Sequence, residues 1–522
     1  MWIAFLARGT LQTLITPVWE GFDEPFHLAY VTFVAAHGRP PGFREPSFPT
    51  EYYRLSPLLP SWFARGVLSF RAWRALDPAE RTSRRVRAGS TGAGVGGRGP
   101  YAHENYERQQ PPLFYYAAAP VARVLRGASL PAVLVGLRLF CVLLASLLVP
   151  LTARLARLLM PARGLFFALP IAAFAPNTLF FADRVTNDAL AWPILAASAG
   201  LLVLCARRPA GSGRWYALGI LVAAGVWTKM TLLPLLPAAL VAALVARRRR
   251  DGRRATPLLA AVGLPAALIA PLLVWNTAAS GSWSGITYGI SRPHPGLGAA
   301  LREWNRIDIG LVLRYWARNH LWAGGWEFLQ PPEWVYGVVV PTLLLAGTAG
   351  AWSARRRGRS TPSRARWVPL AWLALFFVGA MVFHVLLASA AGRAIGRPPL
   401  AGGEGWYFDM LRAVEACAAA ALLCKAVSPR RTPRVTGGLV LALLAADALG
   451  TLGLLLPHWA GLPGAGWRPA ALAEAVAGAR QAAPLLYPPA LVAALVTVVL
   501  AACARLISLA GSGDRGPGLS AA

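Results

Sequence analysis

The stretch PAVLVGLRLFCVLLASLLVPLTA, residues 131–153, shows most directly what fold this sequence makes. It is almost entirely apolar, and as an α-helix it is long enough to cross the roughly 30 Å hydrocarbon core of a bilayer. The residues that follow include Arg154, Arg157 and Arg163, and positive loop charge marks the cytoplasmic side of a membrane. Similar apolar runs recur along the chain, so the sequence predicts an all-α polytopic membrane protein.

The composition is that of a membrane protein. Hydrophobic residues make up 56% of the 522 residues and charged residues 14%, with a mean hydropathy of +0.48. The 52 Lys and Arg exceed the 22 Asp and Glu, giving a net charge of +30, which in a soluble protein would suggest nucleic-acid binding. Here much of the Arg lies in short loops between apolar runs, close to anionic lipid. No nucleic-acid partner is therefore predicted.

The cysteines fall within or at the ends of apolar runs, and none has the spacing of a metal site. A disulfide framework or a structural zinc site is therefore not expected. The five are Cys141, Cys205, Cys417, Cys424 and Cys503.

The sequence predicts about twelve membrane spans, with both termini in the cytoplasm. Basic clusters on alternate connections fix the orientation. The run after Met1 lacks a basic start and a cleavage site, so it is predicted to be a retained first span rather than a signal peptide. The region from Arg214 to Arg247 is basic at both ends and is predicted to form two short helices broken near Lys229. The predicted spans are 2–19, 131–153, 164–182, 189–206, 215–228, 231–246, 256–275, 334–354, 367–390, 408–427, 436–457 and 485–508.

One transmembrane domain is predicted over residues 1–510, followed by a disordered cytoplasmic tail at 511–522. Two outer segments, about 20–130 and 276–333, are too long to be simple connectors, and loops of this length usually carry function. The first contains apolar-rich patches that are predicted to lie along the membrane interface as amphipathic helices, with a mobile Gly-rich linker between them. The patches are 25–36, 55–70 and 111–124, and the linker is 84–100.

The sharpest local feature is WEGFDEPFH, residues 19–27, where the first span leaves the membrane. Adjacent carboxylates are costly near lipid, so Asp23 and Glu24 are candidates for function. The alternative is that they cap the helix that begins at Pro25, because Asp suits the N-cap position and Pro the first turn.

Several sequence blocks resemble the GT-C superfamily of polytopic glycosyltransferases, which includes protein O-mannosyltransferases and the lipid A aminoarabinose transferase. WEGFDEPFHLAYVTFVAAHGRPP at 19–41 is similar to the Asp-Glu motif of that superfamily's first outer loop. The further blocks, in the expected order, are HENYERQQPPLFYYAAAP at 103–120, Asn187-Asp188, GVWTKMTLLPLLP at 225–237 and GEGWYFD at 403–409.

The resemblance implies roles for individual residues. Asp23 would be the base or the substrate-orienting acid, and Glu24 would tune the pKa of Asp23 or help to hold a divalent cation. The donor phosphate would be held by cationic side chains, because Arg binds phosphate as a planar fork and Lys as a point charge. The phosphate-binding candidates are Arg108, Lys229 and Arg412, and the other pocket candidates are His27, Glu104, Glu107, Gln110, Asp188 and Tyr407.

Two departures from the family pattern affect these roles. Gln109-Gln110 replaces the His or Glu next to the Pro-Pro turn, which weakens the expectation of a divalent metal ion at Glu24 and Glu104. Trp406 replaces the arginine of the late block, so Arg412 or Arg393 would have to take over its phosphate contact.

Several residues have a structural interpretation beside the functional one. Lys229 could pair with Asp188 inside the bundle instead of binding phosphate. Asp447 and His384 are predicted to be hydrogen-bonded core residues, and Tyr407 could anchor the membrane interface. The aromatic groups of the second outer segment could stack on the substrate or anchor the loop, namely Trp316, His320, Trp322, Trp326 and Trp334.

The sequence therefore predicts a glycosyltransferase that moves a sugar from a polyprenyl-phosphate carrier to a glycan, lipid or protein acceptor. The active site would face the outside of a bacterial-type cytoplasmic membrane. Two alternatives remain open: a catalytically degenerate scaffold of the same fold, and a lipid or solute transporter. A transporter would show repeat symmetry and ionisable residues near the midplane, whereas here the acids cluster at the outer surface.

Overall fold

The computed structural model is almost entirely helical, because its helices follow the long apolar runs of the sequence. It describes residues 1–63, 66–93, 101–207, 212–248, 255–285, 296–324, 329–356, 366–393, 405–462 and 469–512. The α-helices are α1 Trp2–Ile15, α2 Glu24–His37, α3 Glu51–Leu55, α4 Phe70–Ala75, α5 Pro78–Gly89, α6 Leu113–Val124, α7 Leu130–Ser146, α8 Leu148–Leu159, α9 Leu165–Phe174, α10 Pro176–Ala182, α11 Asp188–Arg207, α12 Ser212–Thr228, α13 Leu235–Arg248, α14 Thr256–Leu258, α15 Leu264–Ser280, α16 Leu297–Glu303, α17 Ile309–Leu321, α18 Glu333–Arg356, α19 Val368–Arg393, α20 Arg412–Ala426, α21 Thr432–Gly450, α22 Leu456–Trp459, α23 Pro469–Ala482 and α24 Pro489–Ser512.

Seven helical stretches within the described residues are long and apolar enough to cross a membrane. An eighth results if α9 and α10, which are separated by a bend, form one span. The chain is thus a multi-pass membrane protein, although this count is lower than the twelve predicted spans. The seven stretches are Leu130–Leu159, Asp188–Ala206, Met230–Arg247, Thr256–Ser280, Val368–Arg393, Pro429–Trp459 and Pro489–Ser512.

The break near Lys229 lies far from the basic loops. α11 has 20 residues and α12 has 17, so each extends roughly 25–30 Å at about 1.5 Å per residue. α11 begins at Asp188 and ends at Arg207, and α12 packs against it and returns to Thr228. The predicted break near Lys229 is present, since α12 ends at Thr228 and α13, with 14 residues, begins at Leu235. Lys229 lies at the Asp188 end of α11, away from Arg207.

Two of the three apolar-rich patches of the first outer segment form helices, but one of these helices, α2, is buried over most of its length instead of lying at the surface as predicted. α2 and α6 coincide with the patches at 25–36 and 111–124, and they pack against each other. The patch at 55–70 does not form one helix. Two further features were not predicted: α5 includes Arg84–Gly89, which the sequence assigned to the linker, and Pro46–Pro49 (β1) pairs antiparallel with Tyr101–Glu104 (β2). The rest of the linker, 94–100, is outside the described residues.

A series of buried polar side chains runs along one face of α1. Arg8 donates to both carboxylate oxygens of Asp447, at 2.6 and 2.8 Å, and to Gln12 at 2.7 Å. Gln12 donates to Thr16, whose hydroxyl donates to Asp183 at 2.7 Å. The predicted hydrogen-bonded role of Asp447 inside the bundle is confirmed. These five residues are called the α1 network below.

The second outer segment continues α15 to Ser280 and then forms α16 and α17. Trp316 and Trp322 are buried, whereas Trp334 is exposed. Trp326, Gly403 and Glu404 lie outside the described residues, as does 513–522 of the predicted tail. All five cysteines are buried free thiols.

Candidate functional site

Asp23 lies in a tight turn at the end of the segment that follows α1. Trp19 and Asp23 both have left-handed backbone conformations, with φ of 63° and 55°, which L-residues adopt uncommonly. Asp23 occupies the N-cap position of α2, but its side chain makes no capping hydrogen bond to the first turn. The capping interpretation of Asp23 therefore has no support in the geometry.

Glu24 has a different environment from its neighbour. Its carboxylate is fully buried and accepts two hydrogen bonds from Arg138 of α7, at 2.7 and 2.6 Å. Arg138 also donates to the carbonyl oxygens of Thr16 and Pro17, at 2.6 and 2.8 Å. The Glu24–Arg138 pair thus ties the start of α2 to the end of the segment from α1 and fixes the turn that carries Asp23.

Lys229 and Asp188 form a buried ion pair. The Lys229 ammonium donates to Asp188 Oδ1 at 2.6 Å, and it lies 4.9 Å from the centroid of the Tyr407 ring. This pairing was one of the two alternatives for Lys229. The ammonium has three N–H donors, and Asp188 accepts a hydrogen bond from one of them.

The first outer segment reaches this ion pair. Asn187 donates to the side-chain oxygen of Gln110 at 3.1 Å and to the carbonyl of Thr228 at 3.2 Å. Glu107 is buried nearby. Burial raises the pKa of Glu107 well above its usual range, and the charge of Asp23 raises it further, while Lys229 opposes the rise. Glu107 thus lies within electrostatic reach of both Asp23 and Lys229.

His27 completes this region from α2. Its Nδ1 lies 2.8 Å from the Tyr115 hydroxyl. Burial lowers the pKa of His27 well below its usual range, and Lys229 and Arg184 lower it further. We name as the mouth cluster the predicted residues that the structure brings together here: Asp23, His27, Glu107, Gln110, Asp188, Lys229 and Tyr407.

An apolar cavity of about 450 Å³ opens beside the mouth cluster. Met230 and Thr231, which follow Lys229 directly, contribute to its wall. His384 also lines it, and the His384 ring lies edge-on to Tyr407 with centroids 5.9 Å apart. Most of the remaining wall comes from α13 and α19, including Leu236, Phe376 and Phe383, and Trp283 and Ser284 also contribute to it.

Arg108 and Glu104 form a separate arrangement. Arg108 donates to Glu104 at 2.8 Å, to the carbonyl of Asn105 at 2.7 Å and to the carbonyl of Phe43. Its guanidinium therefore holds the loop together. Glu24 and Glu104 are paired with two different arginines, so these residues do not fit the predicted divalent metal ion. Within the part of the chain that the structure describes, no group of three His, Cys, Asp or Glu side chains is arranged to hold a metal.

Arg412 belongs to a second cluster of charges around His320. Arg412 pairs with Asp409 and with Glu415 at 3.1 Å, and His320 contacts the same two carboxylates at 3.0 and 3.3 Å. Burial lowers the pKa of His320, but Glu415 and the hydrogen bond with Asp409 outweigh it and raise the pKa to about 9. These contacts tie α17 to α20. Arg393, the other substitute for a phosphate contact, pairs with Glu303.

The sequence interpretation did not include Arg184 and Arg138. Both are buried, at 1% and 0% exposed. Arg138 lies within a predicted span and Arg184 in the connection between α10 and α11. The sequence did contain a signal for both residues, namely an arginine inside or next to an apolar run. A charge in that position requires a partner inside the fold and is therefore a candidate for function.

The fold and the site define a polytopic helical membrane protein with a polar cluster at the edge of an apolar cavity. The profile of the family described as dolichyl-phosphate-mannose-protein mannosyltransferase matches residues 109–275. This match confirms the resemblance to the GT-C superfamily of membrane glycosyltransferases that the motifs predicted. None of the curated proteins matches the chain.

Solved structures of two kinds are similar to this chain. ArnT from Cupriavidus metallidurans bound to undecaprenyl phosphate has 14% identity and a TM-score of 0.45, over 98% of this chain and 77% of that one. The apo state of ArnT has 16% identity and a TM-score of 0.39, over 78% and 67%. The Archaeoglobus fulgidus oligosaccharyltransferase AglB, in complex with an inhibitory peptide and a dolichol-phosphate, has 13% identity and a TM-score of 0.36, over 91% and 55%.

Proposed function

We propose that this protein transfers a glycosyl unit from a polyprenyl-phosphate carrier to an acceptor, at the outer face of a bacterial-type cytoplasmic membrane. One observation carries the proposal. A carboxylate in a left-handed turn, Asp23, lies in the same cluster as a buried ammonium, Lys229, beside an apolar cavity. These are the three features that a lipid-linked phosphate donor requires: a base, a cation and an apolar surface.

The cavity suits the lipid part of such a donor. Its walls are side chains of α13 and α19 such as Leu236 and Phe383, and few polar groups line it. An isoprenoid chain buries apolar surface there without leaving an unpaired polar group. The phosphate would then lie next to Lys229, whose remaining N–H donors face away from Asp188.

The residues of the mouth cluster support one chemical step. The acceptor hydroxyl attacks the anomeric carbon, the bond from that carbon to the phosphate oxygen breaks, and its electron pair stays on the phosphate. The acceptor proton passes to Asp23, which acts as general base. Lys229 stabilises the negative charge that grows on the departing phosphate.

Glu24 has a positioning role in this proposal. Both of its oxygens accept hydrogen bonds from Arg138, so it fixes the Asp23 turn instead of contacting the substrate. Arg108 pairs with Glu104, and Arg412 pairs with Asp409 and Glu415. Lys229 also pairs with Asp188, but it directly precedes two residues of the cavity wall, so it is the phosphate ligand of this proposal among the three candidates.

The finer topology is also part of the proposal. Twelve spans with both termini in the cytoplasm require α1, α12, α18 and α20 to cross in addition to the eight stretches above. Of these four helices, α1, α12 and α20 have only 14, 17 and 15 residues. Their packing supports this arrangement: α1 packs on α24, α12 on α11, and α20 on α9. The basic ends also gather, since Arg163 donates to the carbonyl of Cys424 at the Lys425 end of α20.

The test is glycosyl transfer from a panel of radiolabelled polyprenyl-phosphate sugars by purified wild type and Asp23→Asn. Because a general base contributes roughly a hundredfold or more, we expect Asp23→Asn to lower the rate by at least that factor. Asp77→Asn is the matched control, because Asp77 is also an N-cap residue of the first outer segment but caps α5.

Two outcomes would contradict the proposal. Undiminished transfer by Asp23→Asn would remove this carboxylate from catalysis. No transfer by wild type from any donor would favour the catalytically degenerate scaffold.

A further inference from the structure

Arg184 lies in the short connection between α10 and α11 and is 1% exposed. Three aromatic rings surround its guanidinium. The guanidinium carbon lies 3.7 Å from the ring centroid of Phe181, 4.4 Å from that of Phe180 and 4.8 Å from that of Phe22. Cation–π contacts of this kind hold a charged group in place without neutralising it.

The hydrogen bonds of Arg184 are incomplete. Nε and Nη2 donate to one acceptor, the carbonyl oxygen of Phe180, at 3.3 and 3.1 Å. Nη1 is buried and has no hydrogen-bond partner among the described residues. A buried donor on a charged group is costly to leave unpaired. Arg138, by contrast, distributes its donors over a carboxylate and two carbonyls.

The position of Arg184 relates it to the mouth cluster. The turn before Asp23 wraps around it, since a β-carbon on Gly21 would lie 2.9 Å from the Arg184 β-carbon. Burial lowers the pKa of Arg184 to about 10, although Asp183, Asp188 and Asp23 oppose the change. The guanidinium therefore stays charged at neutral pH. His27 lies within the fields of both Arg184 and Lys229.

We propose that Arg184 binds the phosphate of the lipid-linked donor through Nη1, together with Lys229. This inference rests on the proposed function and adds a second cation to its site. A phosphodiester donor carries one negative charge and the departing phosphate carries two once the glycosyl bond breaks. Two cations match that product better than Lys229 alone, because Asp188 already offsets the Lys229 charge.

The alternative is that Arg184 only supports the turn that carries Asp23. The two roles differ in a measurable way. A phosphate ligand distinguishes a lipid with a phosphate from the same lipid without one, whereas a support for the turn does not.

The experiment measures the binding of undecaprenyl phosphate and of undecaprenol to the full chain in phosphatidylcholine nanodiscs. We expect wild type to bind undecaprenyl phosphate at least about tenfold more tightly than undecaprenol, as a charge-assisted contact to phosphate implies. Arg184→Gln should lose at least about tenfold of the affinity for undecaprenyl phosphate and keep its affinity for undecaprenol.

Arg123→Gln is the matched control. Arg123 also donates to backbone carbonyls, those of Ala35 and Val34, but near the other end of α2. From Glu24 to Ala35, α2 rises about 16 Å at roughly 1.5 Å per residue. This variant should bind both lipids as wild type does.

The outcomes separate the two proposals. If wild type binds both lipids equally, the proposed function and the Arg184 assignment both fail. If wild type prefers the phosphate and folded Arg184→Gln prefers it equally, only the Arg184 assignment is overturned. If Arg184→Gln does not fold, a structure of wild type with undecaprenyl phosphate decides. We expect a phosphate oxygen about 2.7–3.2 Å from Nη1, and a phosphate that contacts Lys229 but not Arg184 would overturn the assignment.

Discussion

The α1 network and the mouth cluster are both buried and polar, but they differ in how their hydrogen bonds are satisfied. In the α1 network each named side chain bonds to the next, and Arg8 also donates to Thr451 at 2.8 Å. Around the mouth cluster, by contrast, Glu107 Oε2 and Asn187 Oδ1 are buried with no hydrogen-bond partner among the described residues. One region is complete without a ligand, and the other is not.

Because of this difference, substitutions in the α1 network should mainly affect stability, and substitutions in the mouth cluster should mainly affect ligand binding. Breaking a complete buried pair leaves a charge without its partner, which costs folding free energy. An incomplete cluster gains hydrogen bonds when a polar ligand arrives, so changes there should affect binding and catalysis first. The Glu24–Arg138 pair belongs with the α1 network, because Arg138 also bonds to the carbonyl of Thr16.

The largest expected effect on stability is at Arg138. Arg138→Met would leave the Glu24 carboxylate buried without its cation, at a cost of roughly 3–5 kcal/mol. We expect a lower free energy of unfolding in detergent, measured by denaturant titration. The double variant Glu24→Gln/Arg138→Met removes both charges and should recover part of that loss.

The same titration can contradict the comparison between the two regions. If Arg138→Met were as stable as wild type, the pair would not hold the start of α2, and the distinction between the two regions would fail.

A smaller and pH-dependent effect is expected at His320, which ties α17 to α20. The pKa of His320 is about 9 in the folded protein, against about 6.5 in an unfolded chain. Its stabilising contribution is therefore complete below about pH 6.5, declines as the pH rises, and is lost above about pH 9.

The check is a series of Tm measurements between pH 6.5 and 9 on wild type and His320→Gln. The fall in Tm of wild type should exceed that of the variant. Equal falls would mean that His320 does not contribute through its charge.

The smallest effect is expected at Glu107 of the mouth cluster. Burial and Asp23 raise the pKa of Glu107 well above its usual range, which favours the neutral form of this carboxyl. Glu107→Gln preserves the shape and the neutral state of this side chain, so the transfer rate should stay within about threefold of wild type, a change in activation free energy of about 0.6 kcal/mol. A loss as large as that of Asp23→Asn would identify Glu107 as a charged participant.

Much of the helical arrangement could be predicted from the sequence. Every predicted span coincides with a helix, because an apolar run of about 20 residues has few other stable structures in a bilayer. The pairing of Lys229 with Asp188 was also among the predicted alternatives. Asp188 begins α11 and Lys229 directly follows α12. Because these two helices pack antiparallel and have similar lengths, the two residues lie close together.

Other features depend on contacts between distant parts of the chain. Arg138 meets Glu24 across 114 positions, and β1 pairs with β2 across the shorter but still long segment 50–100. Local patterns do not specify such partners. The helix at Pro78–Gly89 was missed for a different reason: its Arg-rich sequence has few apolar residues, and the nearby glycines suggested a linker.

Contacts between distant parts of the chain also explain why the predicted phosphate-binding cations have different environments. Arg108, Lys229 and Arg412 were all phosphate-ligand candidates, since Arg108 and Lys229 lie within family motifs and Arg412 follows one. Their donors are directed by the neighbours that the fold supplies: carbonyls around Arg108 and carboxylates around Arg412. Lys229 directly precedes Met230 and Thr231, which line the cavity.

The most direct test of a polyprenyl-phosphate donor is photolabelling with a polyprenyl phosphate analogue that carries a diazirine in its isoprenoid chain. The label should appear on α13 and α19, which line the cavity, and unlabelled polyprenyl phosphate should suppress it. Labelling spread over other helices such as α24, unaffected by the competitor, would contradict the assignment of this cavity to the donor lipid.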